Sequence, residues 1–154
     1  MPPIYDLLVA AGAICTHDGA VLLVRENGRW NPPAGCREPG EVLFQTARRE
    51  ALEAAGVEVD VGDIAYVIEY SESDGHSRTL QVFFAARLLG GQPRPDDPDG
   101  EVEDARFVPF HDIDTVPTAQ HQRLALLSWL SGRRAGHHFV DRSVGGHRPS
   151  VPEG

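Results

Sequence analysis

Residues 35–57 read Gly35-Cys36-Arg37-Glu38-Pro39-Gly40-Glu41-Val42-Leu43-Phe44-Gln45-Thr46-Ala47-Arg48-Arg49-Glu50-Ala51-Leu52-Glu53-Ala54-Ala55-Gly56-Val57. Within this stretch Gly35, Glu41, Arg49, Glu50, Glu53 and Gly56 keep the spacing G-x5-E-x7-R-E-x2-E-x2-G. Pro39-Gly40 ends a loop. Glu41 is expected to open a helix, with its charge in the first turn where the helix dipole favours it. The alanine- and leucine-rich run to Ala55 continues that helix, and Gly56 ends it as the glycine past the last turn. Val42, Ala47, Ala51 and Ala55, with Leu43 and Leu52 beside them, are read as the inward face. Glu50 and Glu53 are three residues apart and project from one side. Two carboxylates so placed repel each other unless a cation lies between them, and oxygen-only donors suit Mg²⁺ or Mn²⁺. A solvated helix face carrying an Arg49–Glu53 pair is the plainer reading of the same residues. The preceding Asn31-Pro32-Pro33-Ala34-Gly35 tips the balance, because a rigid, glycine-ended loop delivers backbone carbonyls beside the carboxylates.

The spacing resembles the signature of the Nudix hydrolases. Trp30-Asn31-Pro32-Pro33-Ala34-Gly35 resembles the approach to that signature in one subgroup, which includes a phosphatase of nucleoside di- and triphosphates and of thiamine-pathway pyrophosphates. The acidic run Glu101-Val102-Glu103-Asp104 before Arg106-Phe107-Val108 is similar to the segment preceding a late strand in the family. The resemblance covers roughly residues 6–131, and only the 35–56 motif is specific. It implies an α+β fold, a mixed β-sheet between helices in an α/β/α sandwich. It also implies metal-dependent hydrolysis of a phosphoanhydride bond in a nucleoside di- or triphosphate or another nucleoside-diphosphate-linked compound. Glu50 and Glu53 are then metal ligands, together with the main-chain oxygen of Gly35 or Ala34 and, from the later segment, Glu101. Arg49 orients the glutamates, Glu41 and Gly56 are structural, and the base is Glu53, Glu101 or Glu103. A homodimer is a further expectation from the family.

Ala54 departs from the pattern, since the family normally has a second adjacent glutamate there, used as a main metal ligand. Alanine supplies no oxygen, although Mg²⁺ can keep water where a carboxylate is missing. The chain is therefore expected to be a working hydrolase, a slow one preferring Mn²⁺, or a binding module that holds a nucleotide or diphosphate as a sensor without cutting it.

Composition agrees with one domain over 1–132 and a flexible tail over 133–154. The 154 residues suffice for a real core. The net charge of −9 opposes binding to a nucleic acid polymer, while a small phosphorylated substrate is compatible, because a bound cation reverses the local sign. All 14 Lys+Arg residues are arginine. Cys15 and Cys36 form neither a disulfide framework nor a metal motif, which fits a reducing cytoplasm. No apolar run reaches the length of a membrane span and no signal peptide is evident.

Along the chain, strands are expected over Leu7–Thr16 and Ala20–Arg25, with Asp18-Gly19 as the hairpin turn between them. Further strands are expected over Val57–Val61, Ile64–Ser71, Ser77–Leu89 and Arg106–Phe110, and a second helix over Thr118–Leu130 with Leu124, Leu127 and Leu130 on its apolar face. Gly90–Gly100 reads as a loop. A calcium-loop match around Asp97-Pro98-Asp99-Gly100 is rejected because Pro95 and Arg106 fall where carboxylates are needed. Cys36 reads as a small loop filler, His137-His138 as surface, and Tyr5, Tyr66, Tyr70 and Phe83 as sheet residues.

Overall fold

The computed structural model describes residues 6–143, and the backbone of 149–150. Strands β1 (Leu7–His17), β2 (Ala20–Glu26), β3 (Arg29–Asn31) and β4 (Ala34–Cys36) precede helix α1 (Leu43–Ala55). Then come β5 (Glu58–Ser71), β6 (Arg78–Gly90), β7 (Asp104–Pro109), a short 3₁₀ turn (Phe110–Thr115), α2 (Gln120–Gly132), β8 (Gly136–Asp141) and β9 (Pro149–Ser150). Among the described residues the strands form one mixed sheet in the order β3-β2-β1-β6-β5-β8-β9, with β4 paired to β1 and β7 to β2. β1 runs parallel to β6, and β5 is antiparallel to β6 but parallel to β8.

Alternation along β1 and β2 explains the layers. Ile14, Val21 and Leu23 join one apolar core with Ala125, Leu126 and Trp129 of α2. Ala13, Cys15, Leu22 and Val24, their immediate neighbours, join a second core with Ala51, Ala54 and Ala55 of α1. Successive side chains on a strand point to opposite faces, so the sheet carries a helix on each side. This is the α/β/α sandwich expected from the sequence.

Four local expectations are corrected. Helix α1 starts at Leu43 rather than Glu41. Val42 caps it and is half exposed, with its N–H bonded to Gln45 Oε1 (2.9 Å). The inward face of α1 is Thr46, Ala47, Ala51, Ala54 and Ala55, while Leu52 points outward at 45% exposure. Small residues let the helix lie close to the sheet. The two strands expected over 57–71 are a single strand, β5, with register shifts between Val61 and Ile64 and between Ile64 and Tyr66. In α2 the buried face is His121, Gln122, Ala125, Leu126 and Trp129, and Leu124 is exposed.

The tail expectation also changes. Residues 136–141 are a strand paired with β5 from Tyr66 to Ser71, and β9 pairs with β8 in turn. His138 and Val140 are buried, so His137-His138 is not a surface pair as a whole. The Arg, His and Gly content of the segment hid a short alternation in which every second residue faces the core. His137 does lie outside, 3.0 Å from Glu69. Residues 144–148 and 151–154, and Tyr5 at the other end, lie outside the described residues. No described helix is long and apolar enough to cross a membrane.

Candidate active site

The path from Trp30 to Glu53 brings a loop, a short strand and a helix around one cavity. Trp30 anchors the entry: its ring is buried, its N–H donates to Pro117 O (2.7 Å), and the Arg106 guanidinium lies 4.6 Å from its centre. Pro33 O then accepts from Ala13 N (3.0 Å), which fixes β4 against β1. Gly35 follows, and a Cβ there would collide with the Glu50 carboxylate. That contact is the physical reason for glycine at the head of the motif, and it places backbone and carboxylate oxygens side by side.

Arg49 organises the remaining acids. Its Nε donates to Glu41 Oε2 (2.7 Å), and its Nη2 to Glu41 Oε1 (3.0 Å) and Cys36 O (3.0 Å). Its Nη1 donates to Glu50 Oε1 (2.9 Å) and Glu53 Oε2 (3.1 Å). Glu41 precedes the helix and also accepts from Glu38 N and Thr46 Oγ1 (2.9 and 3.0 Å). The Arg49 hydrogen bond, with those from Glu38 N and Thr46, holds the Glu41 carboxyl down at about 2 against the opposing effect of burial. Glu41 is thus a structural partner, clamping the loop to the first turns of α1. The other end of α1 is closed by Gly56 at φ +69°, a left-handed conformation suited to glycine.

The loop after β6 forms the opposite wall. Arg94 N donates to Ala55 O (2.9 Å) and Asp96 N to Glu53 O (3.1 Å), so the loop is stitched to the last turn of α1. Asp97 turns back on its own loop and accepts from the N–H groups of Asp99, Glu101 and Val102. Those three bonds outweigh burial and lower its carboxyl pKa. The cavity between these walls has a volume of about 520 Å³ and includes Glu26, Glu50, Glu53, Asp97 and Glu101 in its lining.

Electrostatics mark the cavity as short of positive charge. Burial raises the Glu50 carboxyl pKa, Arg49 opposes the rise, and the charges of Glu53 and Glu26 add to it. Glu26 is raised by burial and then by Glu101 and Asp97. Among the described residues no three His, Cys, Asp or Glu side chains converge into a ready-made metal cage. The donors are nonetheless all oxygens, crowded and mutually repelling, which suits a hard divalent cation that keeps part of its water shell.

The expected residues divide as follows. Gly35, Arg49, Glu50, Glu53 and Glu101 meet at this cavity, and Ala54 forms part of its wall. Glu103 does not: its carboxylate bonds Arg25 Nε (2.9 Å) and Gly28 N (3.2 Å), tying down the β2–β3 hairpin. Cys36 lines the cavity with an exposed side chain, but the hydrogen bond to Arg49 is made by its backbone oxygen. Cys15 is buried away from it, its thiol pushed up to about 11 by burial. Sequence reasoning missed Glu26, which ends β2 before an unremarkable Asn-Gly turn; only the pairing of β2 in the sheet carries it to the cavity. A second, smaller cavity of about 170 Å³ shares Glu26 and Ala34 with the first and is lined also by Asn31, Gln81, Phe83 and Gln122.

A family model described as the NUDIX domain matches residues 6–130. A NAD-capped RNA hydrolase NudC of Chromobacterium violaceum is 38% identical over 118 residues, 73% of this chain and 41% of that protein. Another NudC, from Stutzerimonas stutzeri, is 30% identical over 139 residues, 86% of this chain and 48% of that protein. The chain thus spans less than half the length of these relatives. In fold it is similar to a MutT protein of Bacillus halodurans (TM-score 0.76, 19% identity, 94% of this chain and 95% of that one). It is also similar in fold to a NUDIX hydrolase of Nitrosomonas europaea (TM-score 0.71, 23% identity, 91% and 82%). The motif that frames the acid-lined cavity lies inside the matched residues, and the chain belongs to the NUDIX family.

Proposed function

We propose that this chain hydrolyses a phosphoanhydride bond in a nucleoside di- or triphosphate or another nucleoside-diphosphate-linked compound. The observation that carries the reading is the cavity lined by Glu26, Glu50, Glu53 and Glu101, with the Arg49 guanidinium bonded to Glu50 and Glu53. Mg²⁺ or Mn²⁺ is the proposed cation, held by Glu50, Glu53 and the main-chain oxygen of Gly35, with Glu101 on the opposite wall. When bound, such an ion neutralises phosphate charge and acidifies a coordinated water.

The chain's own residues then have distinct parts. Arg49 holds Glu50 and Glu53 in place and keeps part of their repulsion in check. The backbone bonds from Arg94 and Asp96 to α1 hold the Glu101 wall at a fixed distance from Glu53. Glu101 is the proposed proton acceptor, since Glu53 is engaged by Arg49 and Glu103 by Arg25. The smaller adjoining cavity, lined by amide side chains, is proposed to take the nucleoside end.

The proposed substrate is a small molecule rather than a nucleic acid polymer, in keeping with the net charge of −9. The names of the NudC relatives make a capped RNA end the natural comparison compound. A reducing cytoplasm and a homodimer complete the reading, the latter to be checked by sedimentation.

A second reading, a module that binds a diphosphate without cutting it, is favoured by one observation: Ala54 puts a methyl group on the cavity wall. The deciding experiment measures phosphate and pyrophosphate release from nucleoside di- and triphosphates, nucleotide sugars, NAD and a NAD-capped RNA, with Mg²⁺ or Mn²⁺. Release that requires the ion and vanishes in Glu50→Gln and Glu53→Gln supports the hydrolase. Saturable binding without release by a folded protein supports the module. Glu101→Gln retaining full turnover would overturn its role as base.

A further inference from the structure

Helix α1 brings an alanine to the point where the family signature has a carboxylate, and β2 brings a carboxylate to the same cavity. Leu22, Val24 and Glu26 are spaced two residues apart along β2 and so share one face of the strand. Leu22 and Val24 join the apolar core that holds Ala54, itself 4% exposed. Glu26 carries that face one step past the core, where it lines the cavity with Ala54, Glu50, Glu53 and Glu101. The charges of Glu50, Glu101 and Asp97 all act on it. Among the described residues its side chain makes no hydrogen bond and no ion pair. Other acids nearby are committed: Glu53 to Arg49, Asp97 to three backbone N–H groups, and Glu103 to Arg25. A carboxylate set among like charges without a partner is unfavourable for the fold, and its position is explained if a cation binds beside it.

Resting on the cation site proposed above, we propose that Glu26 supplies from β2 the metal-binding carboxylate that Ala54 removes from α1. Moving the donor from helix to strand keeps the number of anionic oxygens around the ion, on which affinity for a hard cation depends. An unbonded carboxylate turns toward a cation without breaking another contact, so the side chains of the described residues need not form a ready-made cage. The inference accounts for two departures together: a helix short of one acid, and a strand that ends in an acid with no partner.

Mn²⁺ alone is the probe, titrated into the full chain by calorimetry and by water-proton relaxation, which reports how much water the bound ion keeps. Glu26→Gln is isosteric and lies at an exposed strand end. Its Mn²⁺ affinity is expected to fall at least about tenfold, and relaxation should show more water on the ion. Glu26→Asp keeps the charge but draws the oxygens back by one methylene, and should lose most of the affinity as well. Ala54→Glu placed in the Glu26→Gln chain should restore binding to within about threefold of wild type. With EDTA present, the urea midpoint of Glu26→Gln should equal or exceed that of the wild type, because a repelling charge has gone. A lower midpoint would mark Glu26 as a group that holds the fold, and would overturn the proposal. Wild-type affinity in Glu26→Asp would make it a distant charge rather than a ligand, with the same result, as would a Glu26→Gln chain that Ala54→Glu leaves unrescued. Mn²⁺ binding lost in Glu50→Gln but untouched in Glu26→Gln sinks this inference alone. No Mn²⁺ binding by the folded wild type sinks both it and the cation site. Binding that depends on Glu26, without phosphate release from any nucleotide, sinks the hydrolase reading and leaves this one standing.

Discussion

Replacing Arg49 with methionine tests whether the guanidinium holds the site together. The side chain is 18% exposed and reaches four carboxylates, those of Glu38, Glu41, Glu50 and Glu53, at 2.7–3.5 Å. Methionine has a similar length and no charge, so it leaves those acids facing one another. Breaking a largely buried ion network by removing one partner costs about 3–5 kcal/mol. With a urea slope of about 2 kcal/mol per molar, the unfolding midpoint should fall by roughly 1.5–2.5 M. Arg49→Lys keeps the charge but not the fork that serves Glu41, Glu50 and Cys36 O together, and should lose about half as much. Trp30 and Trp129 are buried and report unfolding by fluorescence; the titration is run at pH 7 with EDTA to remove divalent ions. A midpoint shift under about 0.5 M for the methionine variant, or equal shifts for lysine and methionine, would refute the reasoning.

Ala54→Glu adds an oxygen donor to the cavity wall. It should tighten Mn²⁺ binding by about tenfold and raise turnover, and calorimetry showing no change in either would remove residue 54 from the metal's surroundings. Gly35→Ala forces a methyl group into the Glu50 carboxylate. The expected loss is about 1–3 kcal/mol of stability with a larger fractional loss of metal-dependent activity, and wild-type kinetics would count against the proposed contact. Glu41 is lowered from 4.5 to about 2 on folding, chiefly by the Arg49 hydrogen bond. A depressed carboxylate stabilises the fold above pH 4.5 and loses that contribution as pH falls through 2. The effect is at most about 3 kcal/mol, and Glu41→Gln should flatten the urea midpoint between pH 5 and 2.5; parallel curves for both proteins would disprove it.

How much was legible in the sequence depends on whether a residue's role is local. The α1 motif could be read because Gly35, Arg49, Glu50 and Gly56 act through helix spacing and tight backbone approach, both of which are written in offsets along the chain. The β1–β2 hairpin was legible from alternation and Asp18-Gly19, whose residues take positive φ. Glu103 was misplaced because its acidic context says nothing about Arg25, which lies beside it only through the β2–β7 pairing. Glu26, Gln81 and Gln122 come from three elements far apart in the chain and share no pattern. The face of α2 was misread because leucines look like core, yet the helix turns Gln122 and His121 inward, where polar neighbours are waiting. The strand at 136–141 was invisible for a similar reason: β5 supplies its partner, and its own composition does not advertise it.

That last strand has a consequence for anyone trimming the chain. β8 covers β5 from Tyr66 to Ser71, hiding a row of main-chain donors and acceptors that would otherwise sit at the rim of the sheet. A version ending at Gly132 would uncover that rim along the strand that bears Tyr70. Open rims of this kind recruit strands from other molecules, so the shortened protein should self-associate as its concentration rises. The segment that looks most dispensable in the sequence is thus expected to guard against aggregation, and sedimentation of the shortened chain over a range of concentrations checks it.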